Sequence, residues 1–176
     1  RGIHSGSQKT MEMVRRNAYC LKCDVSKFYP SVDHDILYGI IQRKIKCTDT
    51  LWLLREIIYS FPGGKNIPIG NYTSQWLGNI YLNELDQFVK HELKIPDYVR
   101  YCDDFCLFHH SKAVLNDAAK AVINFVSDRL QMKLSKCDLF PVSQGVDFLG
   151  YRHFNNFKLL RKRTAENMVK RLRKLQ

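Results

Sequence analysis

Two adjacent aspartates, Asp103 and Asp104, interrupt the apolar, aromatic stretch "YVRYCDDFCLFHH". Neighbouring carboxylates repel, and burial sharpens the conflict by raising a pKa or demanding a cation. A divalent cation resolves it. Mg²⁺ prefers oxygen ligands and typically takes one or two protein carboxylates together with substrate phosphates. A third acid, Asp24, ends the hydrophobic run "AYCLKCDV". Three such carboxylates on neighbouring strands suit two metals, which activate an attacking oxygen and stabilise the leaving one in phosphoryl transfer. Taken alone, Asp103-Asp104 also fits an ordinary acidic turn, where Asp is common.

The acids need a hairpin and a neighbouring strand to hold them. "YVRYC" and "FCLFH" read as two short strands, a β-hairpin with Asp103 and Asp104 at its tip. "AYCLKCDVSKFY" opens as a strand and ends in a turn around Pro30. "DHDILYGIIQRKI" follows as a helix with Asp33 a suitable N-cap. "DTLWLLREIIYSF" is a second helix, capped by Asp49 or Thr50 and stopped by "PGG" at 62–64. In "NIPIGNYTSQWLGNIYLNELDQFVKHEL" a loop enters a long helix, with Trp76, Leu77, Ile80, Tyr81, Leu85 and Phe88 at helical spacing. "SKAVLNDAAKAVINFVSDRL" is a further amphipathic helix, while "MKLSKCDLF" and "VDFLGYRHF" supply short strands. Residues 1–17 are polar and basic with loop signals, and "KLLRKRTAENMVKRLRKLQ" reads as a basic helix. The expected fold class is α+β, a small antiparallel sheet with helices packed on one face.

Composition sets the class of partner. The 28 Lys and Arg outnumber the 17 Asp and Glu, a net charge of +11. That excess points to a polyanion, with nucleic acid first, against a merely solvated basic surface. No apolar run approaches a membrane span, and no signal peptide is visible. The six cysteines form no framework. Cys20 and Cys23 have the spacing of half a zinc site, but three residues apart on a strand they point to opposite faces. Reduced, buried cysteines in a cytoplasmic protein fit better.

Read together, these stretches resemble a reverse transcriptase palm. "YCDDF" resembles the family's Tyr-x-Asp-Asp hairpin, and "LKCDVSKFYPSVDH" the strand carrying the first metal-binding aspartate, Asp24. "IPIGNYTSQWLGNIYLNELD" resembles the loop and helix that pack against template and incoming nucleotide. "KLSKCDLF" resembles the region with a mobile lysine, here Lys136, and "VDFLGYRHF" the primer-grip hairpin with Phe148, Leu149, Gly150 and Tyr151. The blocks cover most of residues 18–155 in the expected order. The resemblance divides the chain into the end of a fingers region (1–17), a palm with the catalytic site and primer grip (18–158) and the start of a thumb (159–176).

The resemblance implies an RNA-directed DNA polymerase, a nucleotidyltransferase. It would copy an RNA template from a DNA or RNA primer with dNTPs and two Mg²⁺ ions, with Mn²⁺ as a substitute. Asp24, Asp103 and Asp104 would hold the metals, with help from the backbone carbonyl of Val25. Lys136 would protonate or neutralise the departing pyrophosphate, unless it is only a solvated lysine. Tyr29 would be the bulky gate beneath the sugar that favours dNTPs, with a core role as the alternative and Phe28 the competing neighbour. Arg161, Lys162 and Arg163 would contact phosphates without reading sequence. Arg100 would lie near nucleic acid or on the strand surface. His109, His110 and His153 read as structural or surface residues.

One departure sharpens the subtype. Where the family usually has Pro-Gln-Gly and then Ser-Pro, this chain has Pro68-Ile69-Gly70 and then Ser74-Gln75. That pattern resembles the reverse transcriptases of diversity-generating retroelements, which copy with errors concentrated at template adenines. In that reading Ile69, Gly70 and Gln75 lie at the incoming nucleotide. Ile69 cannot make the hydrogen bonds of a glutamine, and loss of a polar check lowers discrimination; neutral drift is the alternative. A small basic accessory protein is the further partner that this subtype implies. The other readings are a retron-like, group II intron-like or phage-defence reverse transcriptase, and a non-polymerising palm-like RNA-binding scaffold. With most of the fingers and thumb outside these residues, the stretch by itself is expected to bind metal and nucleic acid poorly. It is expected to polymerise weakly or not at all.

Overall fold

The computed structural model describes residues 2–173. In chain order they form α1 (Ile3–Arg16), β1 (Tyr19–Val25), α2 (Phe28–Ser31), α3 (His34–Lys44), α4 (Thr48–Tyr59) and α5 (Tyr72–Gln87). A π-helical turn, Phe88–Glu92, extends α5. Then come β2 (Tyr98–Tyr101), β3 (Asp104–His109), α6 (Lys112–Asp128), β4 (Leu134–Pro141), β5 (Val146–Phe148), β6 (Tyr151–His153), β7 (Lys158–Leu160) and α7 (Lys162–Leu172). A four-stranded sheet has the order β2-β3-β1-β4 and a three-stranded sheet the order β5-β6-β7, with every pair antiparallel. The expected α+β class holds.

Alternation along β1 assigns the two faces of the large sheet. Leu21, Cys23 and Val25 enter a core with Phe105 and Leu107 of β3 and the buried stripes of α3, α5 and α6. The stripe of α5 is Leu77, Tyr81, Leu82 and Leu85, and the Tyr81 hydroxyl is satisfied by the Leu130 carbonyl at 2.8 Å. Burying each large apolar side chain there stabilises by about 1.5–3 kcal/mol. The even-numbered residues face the other way. Cys20 joins Cys106, Phe108, Val142, Val146, Phe148, Met13 and Val14 in a smaller core under α1 and the β5–β6 hairpin. Further along the same strand this second face opens, and Lys22 and Asp24 stand on it.

Asp33 caps α3 as expected, accepting from the amides of Asp35 and Ile36. Several expectations need correction. Residues 1–17 are mostly helix, not loop, because Ser7, Thr10, Met13 and Val14 recur on one buried face. The polar members hide the pattern: Ser7 bonds to buried His153 at 3.0 Å, and Thr10 back-bonds to Gly6. "KLL" at 158–160 is a strand, β7, so the basic helix starts only at Lys162. Helix α4 starts at Thr48 after Cys47, not at an Asp49 or Thr50 cap. Cys47 is also exposed, so the cysteines are not uniformly buried. Trp76 and Ile80 flank the buried stripe of α5 and are exposed. Among the described residues no helix is long and apolar enough to cross a membrane.

Candidate active site

The strand order places β1 between β3 and β4, and this brings together residues far apart in sequence. Asp24 pairs across to Asp104 on one side and to Lys136 on the other. The β2–β3 hairpin closes through the pair Tyr101↔Asp104, leaving Cys102 and Asp103 as its turn, with Cys102 at φ 53. The Val25 amide donates to the Asp103 carbonyl at 3.2 Å, tying the turn to β1 where the pairing with β4 is irregular. The Val25 side chain itself is buried in the core.

Each acid has a different environment. Asp24 Oδ2 accepts from the Ser135 hydroxyl at 2.7 Å. Asp104 Oδ2 lies 3.2 Å from the Lys22 ammonium, while Asp104 Oδ1 is buried with no partner. Burial and then the Asp24 charge hold the Asp103 carboxyl above the usual carboxylate range. Burial does the same for Asp104, opposed by Lys22, reinforced by Asp24 and opposed in part by Arg161. A cleft of about 270 Å³ is lined by Lys22, Asp24, Asp104, Lys136, Asp147 and Arg161.

Carboxylates with an unpaired buried oxygen and mutual repulsion make a cation-seeking oxygen site. Hard oxygen donors of this kind suit Mg²⁺ or Mn²⁺. Among the described residues no three His, Cys, Asp or Glu side chains converge as a ready metal cage.

The remaining expected residues fall into three groups. Tyr29 is brought to the acids: burial, then Cys102 and Asp103, push its phenol up. Phe28 is buried in the core instead. Both rings lean on Gly78 of α5, where an added Cβ would stand 2.9 Å from Phe28 and 3.6 Å from Tyr29. Arg161 reaches the cleft through an ion pair with Asp147 at 2.6 Å. In the hairpin, Phe148 is buried, and Leu149 and Gly150 form the turn with φ 54 and 82. Such a two-residue turn with both φ positive matches the twist of the strands it joins. Tyr151 opens β6 and pairs with Phe148.

Ile69, Gly70 and Gln75 do not line the acid cleft. Ile69 and Gly70 lie in the exposed loop before α5 and Gln75 on the first turn of α5; Ile69 is 77% exposed, and Gly70 takes φ 102, which only glycine adopts without strain. Lys162 and Arg163 sit exposed on the first turn of α7, outside the cleft. Arg100 is not a surface residue. It makes a two-pronged contact with Asp86 and donates to the Cys102 carbonyl, bracing the turn that carries Asp103. His153 is structural, bonded to Ser7 and to the Val146 carbonyl.

Sequence reading missed Lys22, Ser135, Gly78 and Asp147. Lys22 was accessible in principle: two residues before Asp24 on a strand, it must share that residue's face.

The family model for reverse transcriptase (RNA-dependent DNA polymerase) matches residues 1–153. The retron Ec73 reverse transcriptase of Escherichia coli is 23% identical, over 88% of this chain and 54% of its own length. Protein YkfC of Escherichia coli K12 is also 23% identical, over 85% of this chain and 49% of its own. The chain thus spans about half the length of these curated relatives. Among solved structures, apo telomerase from Candida tropicalis superposes with a TM-score of 0.65 at 13% identity, over 90% of this chain and 39% of that one. Telomerase from Candida albicans, solved with a fragment of telomeric RNA, gives 0.64 at 12% identity, over 91% and 33%. At that identity the likeness shows the fold alone. Motif order, strand register and a family model matching most of the residues agree: this chain belongs to the reverse transcriptase (RNA-dependent DNA polymerase) family.

Proposed function

We propose that the chain carries the catalytic palm of an RNA-directed DNA polymerase that copies an RNA template from a primer using dNTPs. The observation that carries this is the carboxylate constellation: Asp24 and Asp104 paired across strands, Asp103 at the adjoining turn, and one buried oxygen without a partner. Asp24, Asp103 and Asp104, with the Val25 carbonyl, would hold two Mg²⁺ ions. When bound, such ions activate the primer 3′-hydroxyl and stabilise the leaving pyrophosphate. Lys136, in register beside Asp24, supplies positive charge on the leaving-group side of the cleft. Tyr29, whose phenol feels the Asp103 charge, is assigned as the steric gate against a 2′-hydroxyl. Residues 1–17 are assigned to the end of the fingers, 18–158 to the palm and 159–176 to the start of the thumb. Phe148 to Tyr151 form the primer grip.

The test is primer extension on a defined RNA template by the full-length protein that contains this chain, with Mg²⁺ and dNTPs. Asp103→Ala is expected to lower the rate by at least about 10³-fold, the several kcal/mol that metal ions contribute to charge stabilisation. Extension that survives this substitution would refute the assignment.

A finer reading, the diversity-generating type, is favoured by Ile69 in the exposed loop before α5 occurring together with Gln75 in the first turn of α5. Product sequencing is then expected to show errors clustered opposite template adenines. Ile69→Gln should reduce them severalfold relative to errors at other bases. Uniformly accurate synthesis by the wild type would leave the second reading, a retron-like enzyme, which the match to the retron Ec73 protein supports. A small basic accessory protein belongs only to the first reading.

A further inference from the structure

Lys22 stands out within the cleft because no established part of the proposed reaction needs it. It is one strand step from Asp24 on the same face, yet its ammonium does not go to Asp24. It reaches diagonally to Asp104 Oδ2 at 3.2 Å. The same ammonium donates to the backbone carbonyl of Asp147 in β5 and lies 6.0 Å from the centre of the Phe148 ring. The Asp147 carboxylate is held in turn by Arg161, just before α7. One half-buried cation therefore joins an acid of the large sheet to the hairpin of the small sheet. Among the described residues the two sheets share no strand pairing, so this polar link joins them beside the small apolar core that Val146 and Phe148 share with Cys20, Cys106 and Phe108.

The position has a second consequence. A cation approaching Asp104 Oδ2 meets a site where an ammonium already sits. Like charges at such separations repel strongly where solvent screening is incomplete. The ammonium also offsets much of the cost of burying Asp104 when no metal is bound.

We propose that Lys22 is a positioning residue with two linked roles. It clasps the β5–β6 hairpin to Asp104 in the metal-free protein, and it acts as an internal counter-cation that divalent metal must displace from Asp104. The second role rests on the reading of the acids as a metal site; the first does not. Metal loading and hairpin placement are thereby coupled through one side chain. The hairpin is held in place before substrate arrives, and the cation leaves Asp104 only when a stronger one takes over.

The test uses the full-length protein and two substitutions. Lys22→Met removes both the charge and the donor but keeps an unbranched apolar stem. Lys22→Gln removes the charge and keeps a donor for the Asp147 carbonyl. Hydrogen exchange in EDTA reads the clasp, and Mn²⁺ titration followed by electron paramagnetic resonance reads the competition. In EDTA, amides of residues 146–153 are expected to exchange at least about tenfold faster in Lys22→Met, the loss expected for a hydrogen bond to a charged group. In Lys22→Gln they should change little. Mn²⁺ should bind severalfold more tightly to both variants than to wild type, and Asp103→Ala should weaken its binding.

Unchanged hairpin exchange in Lys22→Met would overturn the clasp. Unchanged or weaker Mn²⁺ binding in both variants, with Asp103→Ala still weakening it, would overturn the competition. No Mn²⁺ binding by wild type would instead sink the metal reading and the competition with it, and the clasp would stand or fall on hydrogen exchange alone. Should Lys22→Met fail to fold, Lys22→Gln decides the competition by itself. The clasp is then read in Lys22→Arg, which keeps charge and donor and is expected to match wild-type exchange; faster exchange there overturns it.

Discussion

At the scale of single residues, the acids carry a stability cost that a bound cation would relieve. Asp103 and Asp104 are held above the usual carboxylate range, by burial first and by Asp24 as well. A raised folded-state pKa means that the native protein keeps protons the unfolded chain has released. The stabilisation is full below the ordinary carboxylate range and is lost as pH rises through the raised values. Asp103, which has no ion-pair partner among the described residues, is the cleaner of the two to test. Asp103→Asn is expected to raise the melting temperature in EDTA at pH 8 by about 1–3 °C. The gain should vanish below about pH 4, where the native carboxyl is itself protonated. A lower melting temperature at pH 8 would contradict this account of the site. The three aspartates were legible from sequence because they fall within ordered motif blocks; alone, Asp103-Asp104 fits an ordinary acidic turn. Ser135 and Lys22 were not, because their roles depend on which strands are neighbours.

At the scale of elements, the hairpin tip is held by a buried ion pair rather than by its turn alone. Arg100 and Asp86 meet at 2.6 Å with both side chains mostly buried, and Arg100 also bonds to the Cys102 carbonyl. Removing one partner strands a buried charge. Arg100→Leu is expected to cost about 3 kcal/mol, read from the urea midpoint. Arg100→Leu with Asp86→Leu should recover part of that loss; equal loss in single and double variants would show that the pair is not what matters. Periodicity revealed α3, α5 and α6 because each carries a continuous apolar stripe. It did not reveal α1, whose buried face includes Ser7 and Thr10, nor β7, three exposed residues defined by pairing with β6. Arg100 was misjudged for a related reason: on a strand, sequence cannot say whether a charge meets water or a buried partner.

At the scale of the whole molecule, a chain of net charge +11 carries a cleft in which three acids, Asp24, Asp104 and Asp147, face three cations, Lys22, Lys136 and Arg161. In the proposed reaction the two would serve different steps, phosphate binding by basic side chains and chemistry by the acids. Template–primer binding by the full-length protein is expected to weaken steeply with salt. Lys162→Gln with Arg163→Gln should flatten the log–log slope by about 1–2 through fewer counterions released. An unchanged slope would remove those two residues from the interface. The fold was legible because the motif blocks appear in family order. The loop at Ile69 was legible as a difference in sequence, but its consequence depends on what would dock against its exposed surface.

The most direct single measurement is single-turnover incorporation of one dNTP on an RNA template, comparing full-length wild type with Asp103→Asn. The substitution keeps shape and removes one charge. The variant is expected to be at least as stable as wild type without metal, yet slower by about 10³-fold or more. Incorporation at a wild-type rate by a folded Asp103→Asn protein would contradict the assignment of these acids to catalysis.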